Sequence, residues 1–333
     1  MAKITASELH RRMVDLDVDE KDLRPFFQLE VGEGGPFSPR LVPNPETVDI
    51  PDEVRRAEVG LGIANHYCRW RRRLKAEKRL ERGEDAPLIV TEGDSWFQFP
   101  IFLDDVVDHL SERYIPWSLG AAGDTVANMV LGTPGRGRTE YLRELVRHRG
   151  RARAFVFSGA GNDVIGTEAD GTPALLKMLR PKGHDGDPIS HLDLEEVAAV
   201  MASLHDAYRQ VIREIRRIPG LERLPVLIHG YDYAIPGPDD DRSPIWAQPW
   251  LSGPLDRMPV RDPDTRRGIV RVLINELYSM LIQVSRHHDH VYVVDVRDTL
   301  PTADLWADEI HPTDEGFARV ARRFEAVLGH VVR

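Results

Sequence analysis

A chain of 333 residues is long enough for two ordinary domains, or for one α/β domain with additions. Hydrophobic residues make up 41% and charged residues 29%, a globular balance that excludes a mainly disordered chain. The 44 basic and 54 acidic residues give a net charge of −10, which disfavours a general nucleic-acid role, and no apolar run approaches the roughly 20 residues of a membrane span.

The first twenty residues have no apolar stretch of the signal-peptide kind. The single cysteine, Cys68, has no intramolecular partner for a disulfide. Both features lead us to expect a reducing, cytoplasmic setting. SELHRRMVDL reads as a short helix, and the Gly- and Pro-rich run ending near Pro51 breaks regular structure. Residues 1–52 are therefore expected to form an N-terminal extension, dispensable for chemistry and available as a docking arm for a protein partner. Residues 53–84 are expected to form one long helix that packs on the core or links to it, because Val59, Leu61, Ile63, Tyr67 and Trp70 roughly follow helical spacing. Its basic second half is expected to be solvated, favoured by the helix dipole.

From residue 85 onward strand and helix patterns alternate. Short runs rich in Val, Ile or Phe recur at 88–91, 115–119, 154–158, 226–229 and 291–295. Such runs suit buried parallel strands. Helical stretches are expected at 102–113, 124–131, 138–149, 193–217, 266–288 and 313–330. The repeated βα pattern predicts an α/β fold over 85–333: a three-layer α/β/α domain with a doubly wound five-stranded parallel sheet. Segments 164–192 and 230–264 are too long for simple connections and are candidate binding walls or lids.

In open α/β sheets, sites form at the carboxyl ends of the strands. Those ends carry Gly93-Asp94-Ser95-Trp96, the Gly120–Thr125 turn, Gly161-Asn162-Asp163 and, before the last helix, Asp308-Glu309-Ile310-His311-Pro312. Asp94 and Asp163 read as turn-holding hydrogen-bond acceptors, and Asp124-Thr125 as a helix cap. His287-His288-Asp289-His290 reads as a helix end rather than a metal site, and the arginines between Arg143 and Arg153 as a solvated face.

Taken in order, these blocks resemble those of the SGNH (GDSL-like) hydrolase superfamily. The resemblance implies a flavodoxin-like SGNH fold and hydrolysis of carboxylic esters through a serine acyl-enzyme, with no metal and no organic cofactor. It implies Ser95 as nucleophile, with Asp308 and His311 completing a triad, and an oxyanion hole of the Ser95 and Gly123 backbone N–H groups and the Asn162 amide. The chemistry agrees, since acyl transfer needs a nucleophile, a base, a group orienting that base, and donors for the oxyanion. Departures from the family pattern are Trp96 where the name-giving motif has Leu, and Ala160-Gly161-Asn162 where Gly-x-Asn is common. Phe97 breaks the Gly-x-Ser-x-Gly elbow of ordinary α/β-hydrolases.

Trp96, Tyr231, Trp246 and Trp250 are the candidate substrate-binding residues, for short to medium acyl or aryl esters as small-molecule substrates. Thioesters, acetylated sugars and a catalytically silent binding module remain alternatives on the same fold.

Overall fold

The computed structural model describes residues 3–32, 35–49, 61–132, 139–168, 170–237 and 249–332. Four short strands lie near the N-terminus. Strand β1 (Ile4–Thr5) pairs in parallel with β4 (Val48–Asp49), and β2 (Phe27–Gly32) pairs antiparallel with β3 (Gly35–Pro43). The main sheet is built from β5 (Leu88–Gly93), β6 (Ile115–Ser118), β7 (Ala152–Ser158), β8 (Val226–His229) and β9 (Val291–Val294). All its pairings are parallel, in the spatial order β6-β5-β7-β8-β9. Counted within the sheet, this is the doubly wound order 2-1-3-4-5, which places a site where the winding reverses beside its first strand.

The period-2 alternation of the strands divides the core. Leu88, Val90, Phe155, Phe157 and Ile228 face one layer, together with the helices Glu140–His148, Leu194–Arg216 and Pro263–Arg286. Ile89, Ala154, Val156 and Leu227 face the other, with Val106–Leu110 and Asp314–Val331. Both faces are covered, which is why these strands read as continuous apolar runs rather than alternating ones. Caps set several helix starts: Thr125, Asp193, Asp262 and Thr313 each accept a backbone N–H of the following first turn. The stretch expected to be helical over 102–113 is helical only at Val106–Leu110, because Asp105 and Asp108 close a capping box there.

The long helix spans Leu61–Glu81, and residues 53–60 of its expected range lie outside the described residues. Its basic half is not a solvated face. Arg71 is fully buried and donates to the carbonyls of Met13, Asp15 and Val18. Arg72 is buried as well, donating to Phe97 O at 2.8 Å and to the carboxylates of Asp105 and Asp108, each at 2.6 Å. Arg73 donates to Ser118 O, and Arg79 to Ser111 O and Tyr114 O. These guanidinium groups bind chain segments far away in sequence, and their forked donors suit several carbonyl and carboxylate acceptors at once.

The described residues between 3 and 49 pack on this helix through a small core of their own, in which Leu9, Leu23, Phe26 and Leu41 meet Cys68 and Ile101. Arg24 fastens that lobe to the main body, donating to Ile101 O at 2.8 Å, Asp104 at 2.7 Å and Asp314 at 2.6 Å. Among the described residues no helix is long and apolar enough to cross a membrane.

Candidate active site

Strand β5 ends in a tight turn that needs glycine at position 93. A side chain at Gly93 would lie 2.7 Å from Ser158 Cβ and 2.9 Å from Ser158 O, so β5 and β7 approach closely only with glycine there. The chain then folds over Asp94, whose carbonyl accepts the N–H groups of Phe97 and Gln98, both at 3.0 Å. The Asp94 carboxylate is buried. It accepts from Trp96 N at 3.1 Å, from Ser158 Oγ at 3.0 Å and from the Tyr231 hydroxyl. Burial pushes its pKa up, and these three donors act against that rise. Ser95 projects from this braced turn.

The other half of the site is one short loop. Asp308 Oδ1 accepts from Ile310 N at 2.8 Å and His311 N at 2.7 Å, while Oδ2 lies 2.7 Å from His311 Nδ1. A three-residue spacing thus closes a ring that fixes the imidazole. A carboxylate only accepts hydrogen bonds, so Nδ1 carries the proton and Nε2 offers its lone pair. Nε2 lies 2.9 Å from Ser95 Oγ. The ring is buried, with Phe99 set edge-on at 4.8 Å.

Two further turns complete the floor. Gly123 has φ +84°, a left-handed conformation that glycine adopts freely. Asn162 donates its side-chain amide to Asp124 O at 2.8 Å, and Asp163 accepts from Val126 N at 2.9 Å, so the Gly123 and Asn162 turns are tied together. The departure at Ala160 has a structural counterpart. Ala160 itself takes φ 88°, which costs a non-glycine residue on the order of 1–2 kcal/mol. Gly161 is the position that needs glycine, because a Cβ there would meet the Tyr231 ring at 3.0 Å. Its N–H donates to Tyr231 Oη at 2.9 Å.

The structure brings Ser95, Gly123, Asn162, Asp308 and His311 to one cavity of about 170 Å³. Trp250 lines it, as do Leu29, Leu41 and Ala64 from the N-terminal part of the chain, so the segment read as a docking arm also walls the site. Trp96 is buried beneath the turn, its indole N–H donating to Ile310 O at 3.0 Å, which joins the Ser95 turn to the His311 loop. Tyr231 spends its hydroxyl on Asp94 and Gly161, and Trp246 lies outside the described residues. At the 287–290 cluster, His287 and His288 each set Nδ1 against a carbonyl of their own helix.

Two residues at the site carried no signal in the sequence. Asn65 exchanges a pair of hydrogen bonds with the backbone of Ala122. Glu309 is buried and accepts from Gly237 N at 2.6 Å, Leu251 N at 2.7 Å and Ser252 N at 3.2 Å, which anchors the loop carrying Trp250 to the loop carrying His311.

A parallel doubly wound sheet with a serine, a histidine and an aspartate gathered at its carboxyl edge defines a class of α/β hydrolytic folds. The sequence profile of the GDSL-like Lipase/Acylhydrolase family matches residues 91–319, and the chain belongs to this family, among the SGNH hydrolases. No curated protein matches the chain. Solved structures with a similar fold include a family 3 carbohydrate esterase from Clostridium thermocellum, 10% identical, with 75% of this chain and 100% of that chain covered and a TM-score of 0.42. A carbohydrate esterase family 3 protein from Talaromyces cellulolyticus is 11% identical, with coverage of 74% and 98% and a TM-score of 0.40. A carbohydrate acetylesterase from Sinorhizobium meliloti is 11% identical, with coverage of 73% and 99% and a TM-score of 0.40.

Proposed function

We propose that the protein hydrolyses carboxylic esters with short to medium acyl groups, or aryl esters, through an acyl-enzyme on Ser95. The observation that carries this reading is the unbroken relay from Ser95 Oγ to His311 Nε2 at 2.9 Å and from His311 Nδ1 to Asp308 Oδ2 at 2.7 Å. In the first half-reaction Oγ attacks the acyl carbon and its proton passes to Nε2. The imidazolium so formed is stabilised by Asp308, and it returns the proton to the departing alcohol oxygen. In the second, water takes the place of the alcohol and the acid is released. The oxyanion is received by the N–H groups of Ser95 and Gly123 and by the Asn162 amide. That amide is oriented by its bond to Asp124 O, so little reorganisation is needed when charge develops.

The test is labelling of the full chain with a fluorophosphonate, read by peptide mass spectrometry, beside hydrolysis of p-nitrophenyl acetate. Stoichiometric modification of Ser95 and loss of turnover in Ser95→Ala are expected. A folded protein that neither labels nor turns over esters would instead be a silent module on this fold.

A further inference from the structure

Two cavities meet at Ser95, Asn162 and Ile310, and they differ in chemistry. His311, Asp308 and Gly123 line only the first, of about 170 Å³. The second, of about 80 Å³, runs between the Leu194–Arg216 and Pro263–Arg286 helices, where Met201, Val270, Leu273 and Leu277 face Val164 and Ile165. Its carboxylates are already engaged. Asp94 is held by Tyr231, Ser158 and Trp96 N, and Asp232 accepts from the N–H groups of Tyr233, Asp298 and Leu300 at 2.7, 2.8 and 2.6 Å. What remains to a ligand is an apolar lining.

The direction of proton transfer assigns the two spaces. The departing oxygen must receive its proton from His311 Nε2, so the alcohol part lies on the side that His311 lines. The acyl group, bonded through the same carbon but pointing away from the base, extends toward the other side. We propose that the 164–165, 201 and 270–277 cavity is the acyl pocket, that it takes an unsubstituted alkyl chain of about three or four carbons, and that the first cavity takes the alcohol. The length follows from volume: an apolar cavity of about 150 Å³ holds benzene, which is about 25 Å³ per carbon. The lining offers nothing to hydroxyl or charged groups on the acyl chain, and burying these without partners is costly. The assignment rests on the serine-hydrolase reading. In its covalent step the Ser95 Oγ–C bond forms, the ester C–O bond breaks, the proton moves from Oγ to Nε2 and on to the alcohol, and water later releases the acid.

The experiment measures kcat/KM for p-nitrophenyl esters from acetate to octanoate with the full-length wild type, Met201→Ala and Val164→Phe. Wild type is expected to peak at butanoate or pentanoate and to fall by at least about tenfold by heptanoate, since one ill-fitting methylene shifts selectivity by roughly 10–200-fold. Met201→Ala should move the peak about two carbons longer, and Val164→Phe should move it to acetate. Met201 is buried, whereas Val164 is only partly so, and Val164→Phe therefore decides the matter if Met201→Ala does not fold. A second series fixes the acyl group as acetyl and varies the alcohol, and Val164→Phe should keep the wild-type ranking there. Wild-type rates that climb to octanoate, an unmoved peak in Val164→Phe, or an altered alcohol ranking would overturn the assignment. Fluorophosphonate labelling separates the two levels. Labelled Ser95 with the wrong length profile sinks only the acyl pocket, whereas no labelling and no turnover sink the hydrolase reading and the pocket together.

Discussion

The side chain of Asn65 and the backbone of Ala122 are joined by two hydrogen bonds of 3.0 Å, one donated in each direction. Ala122 precedes Gly123, whose N–H is proposed to receive the oxyanion, so an amide in the long N-terminal helix sets the orientation of that turn. Asn65 lies outside the segment matched by the family profile, in a part of the chain that sequence motifs did not mark. Asn65→Ala leaves a part-buried donor and acceptor unpaired and lets the turn relax. We expect kcat for an activated ester to fall about tenfold with KM little changed, less than the roughly 10²–10³-fold loss expected for Asn162→Ala. Asn65→Asp should do worse than Asn65→Ala, because a carboxylate accepts from Ala122 N but faces Ala122 O without a proton. Steady-state kinetics with the melting temperature measured alongside separates this role from plain destabilisation, since wild-type kcat in Asn65→Ala would remove Asn65 from the reaction.

Glu309 sits between the Asp and His of the relay and binds the backbone beside Trp250, which lines the cavity. Its carboxylate accepts from the N–H groups of Gly237, Leu251 and Ser252. Glu309→Gln keeps the size but replaces one acceptor oxygen with a donor that faces N–H groups. Trp250, which borders the cavity and stands 6.4 Å from the His311 ring, should lose its fixed place. The expected outcome is a KM raised about three- to tenfold for esters with bulky alcohols, a smaller change for methyl esters, and a kcat within about threefold of wild type. Equal changes for both alcohol classes would mean that Glu309 acts on the relay and not on the wall.

Much of this arrangement was legible along the chain, and the rest was hidden for physical reasons. β5 to β8 read clearly because each is buried on both faces, so sequence and burial carry the same pattern. Ser95 and Asn162 stood out because they follow strand ends, where polar residues interrupt apolar runs, and the Asp308–His311 pair because it lies just before the last helix, Asp314–Val331. Arg71 and Arg72 were misread because a basic helix face looks solvated until distant carbonyls at Met13, Val18 and Phe97 arrive to meet it. Ala160 is a similar case. Its left-handed backbone leads into Gly161, which fits closely against Tyr231, a contact between residues 70 apart in sequence.

The N-terminal lobe offers a test of how far the site extends beyond the matched family segment. Sequence alone suggested that residues 1–52 are dispensable, yet Leu29 and Leu41 wall the cavity and Cys68 is covered by the lobe's core. A chain beginning at residue 61 would also strip Arg71 of the carbonyls of Met13, Asp15 and Val18 and expose the apolar face of the long helix that Leu9, Leu23 and Phe26 cover. We expect such a chain to be poorly soluble or to melt well below the full protein, and its Cys68 thiol to react rapidly with a thiol-specific disulfide reagent. In the full chain burial shields that thiol and pushes its pKa well above the usual value, so it should react slowly. A soluble truncated chain with wild-type melting and a shielded thiol would show that the lobe contributes nothing to the fold.

His229 closes β8 directly beneath the Ser95 turn, fully buried and stacked on Phe97 at 5.5 Å, with Phe324 edge-on at 5.0 Å. One ring nitrogen, Nδ1, donates to Gly230 O, and burial among these rings drives the imidazole pKa down to about 3. The unfolded chain takes up a proton near pH 6.5, whereas the folded chain resists it until about pH 3. The unfolded state therefore binds more protons throughout that window, and stability rises with pH across it. His229 contributes no penalty above about pH 6.5, and by pH 5 the penalty reaches about 2 kcal/mol, at roughly 1.4 kcal/mol per pH unit. His229→Phe keeps the stacking and cannot titrate, but it deprives Gly230 O of its donor, at a cost of about 1 kcal/mol at any pH. The variant should be slightly less stable than wild type at pH 8 and slightly more stable at pH 5. Urea unfolding of both proteins at the two pH values checks this, because the buried carboxylates are common to both and cancel in the difference. A stability difference that does not change between pH 8 and pH 5 would mean that His229 is protonated within the fold or exposed to solvent.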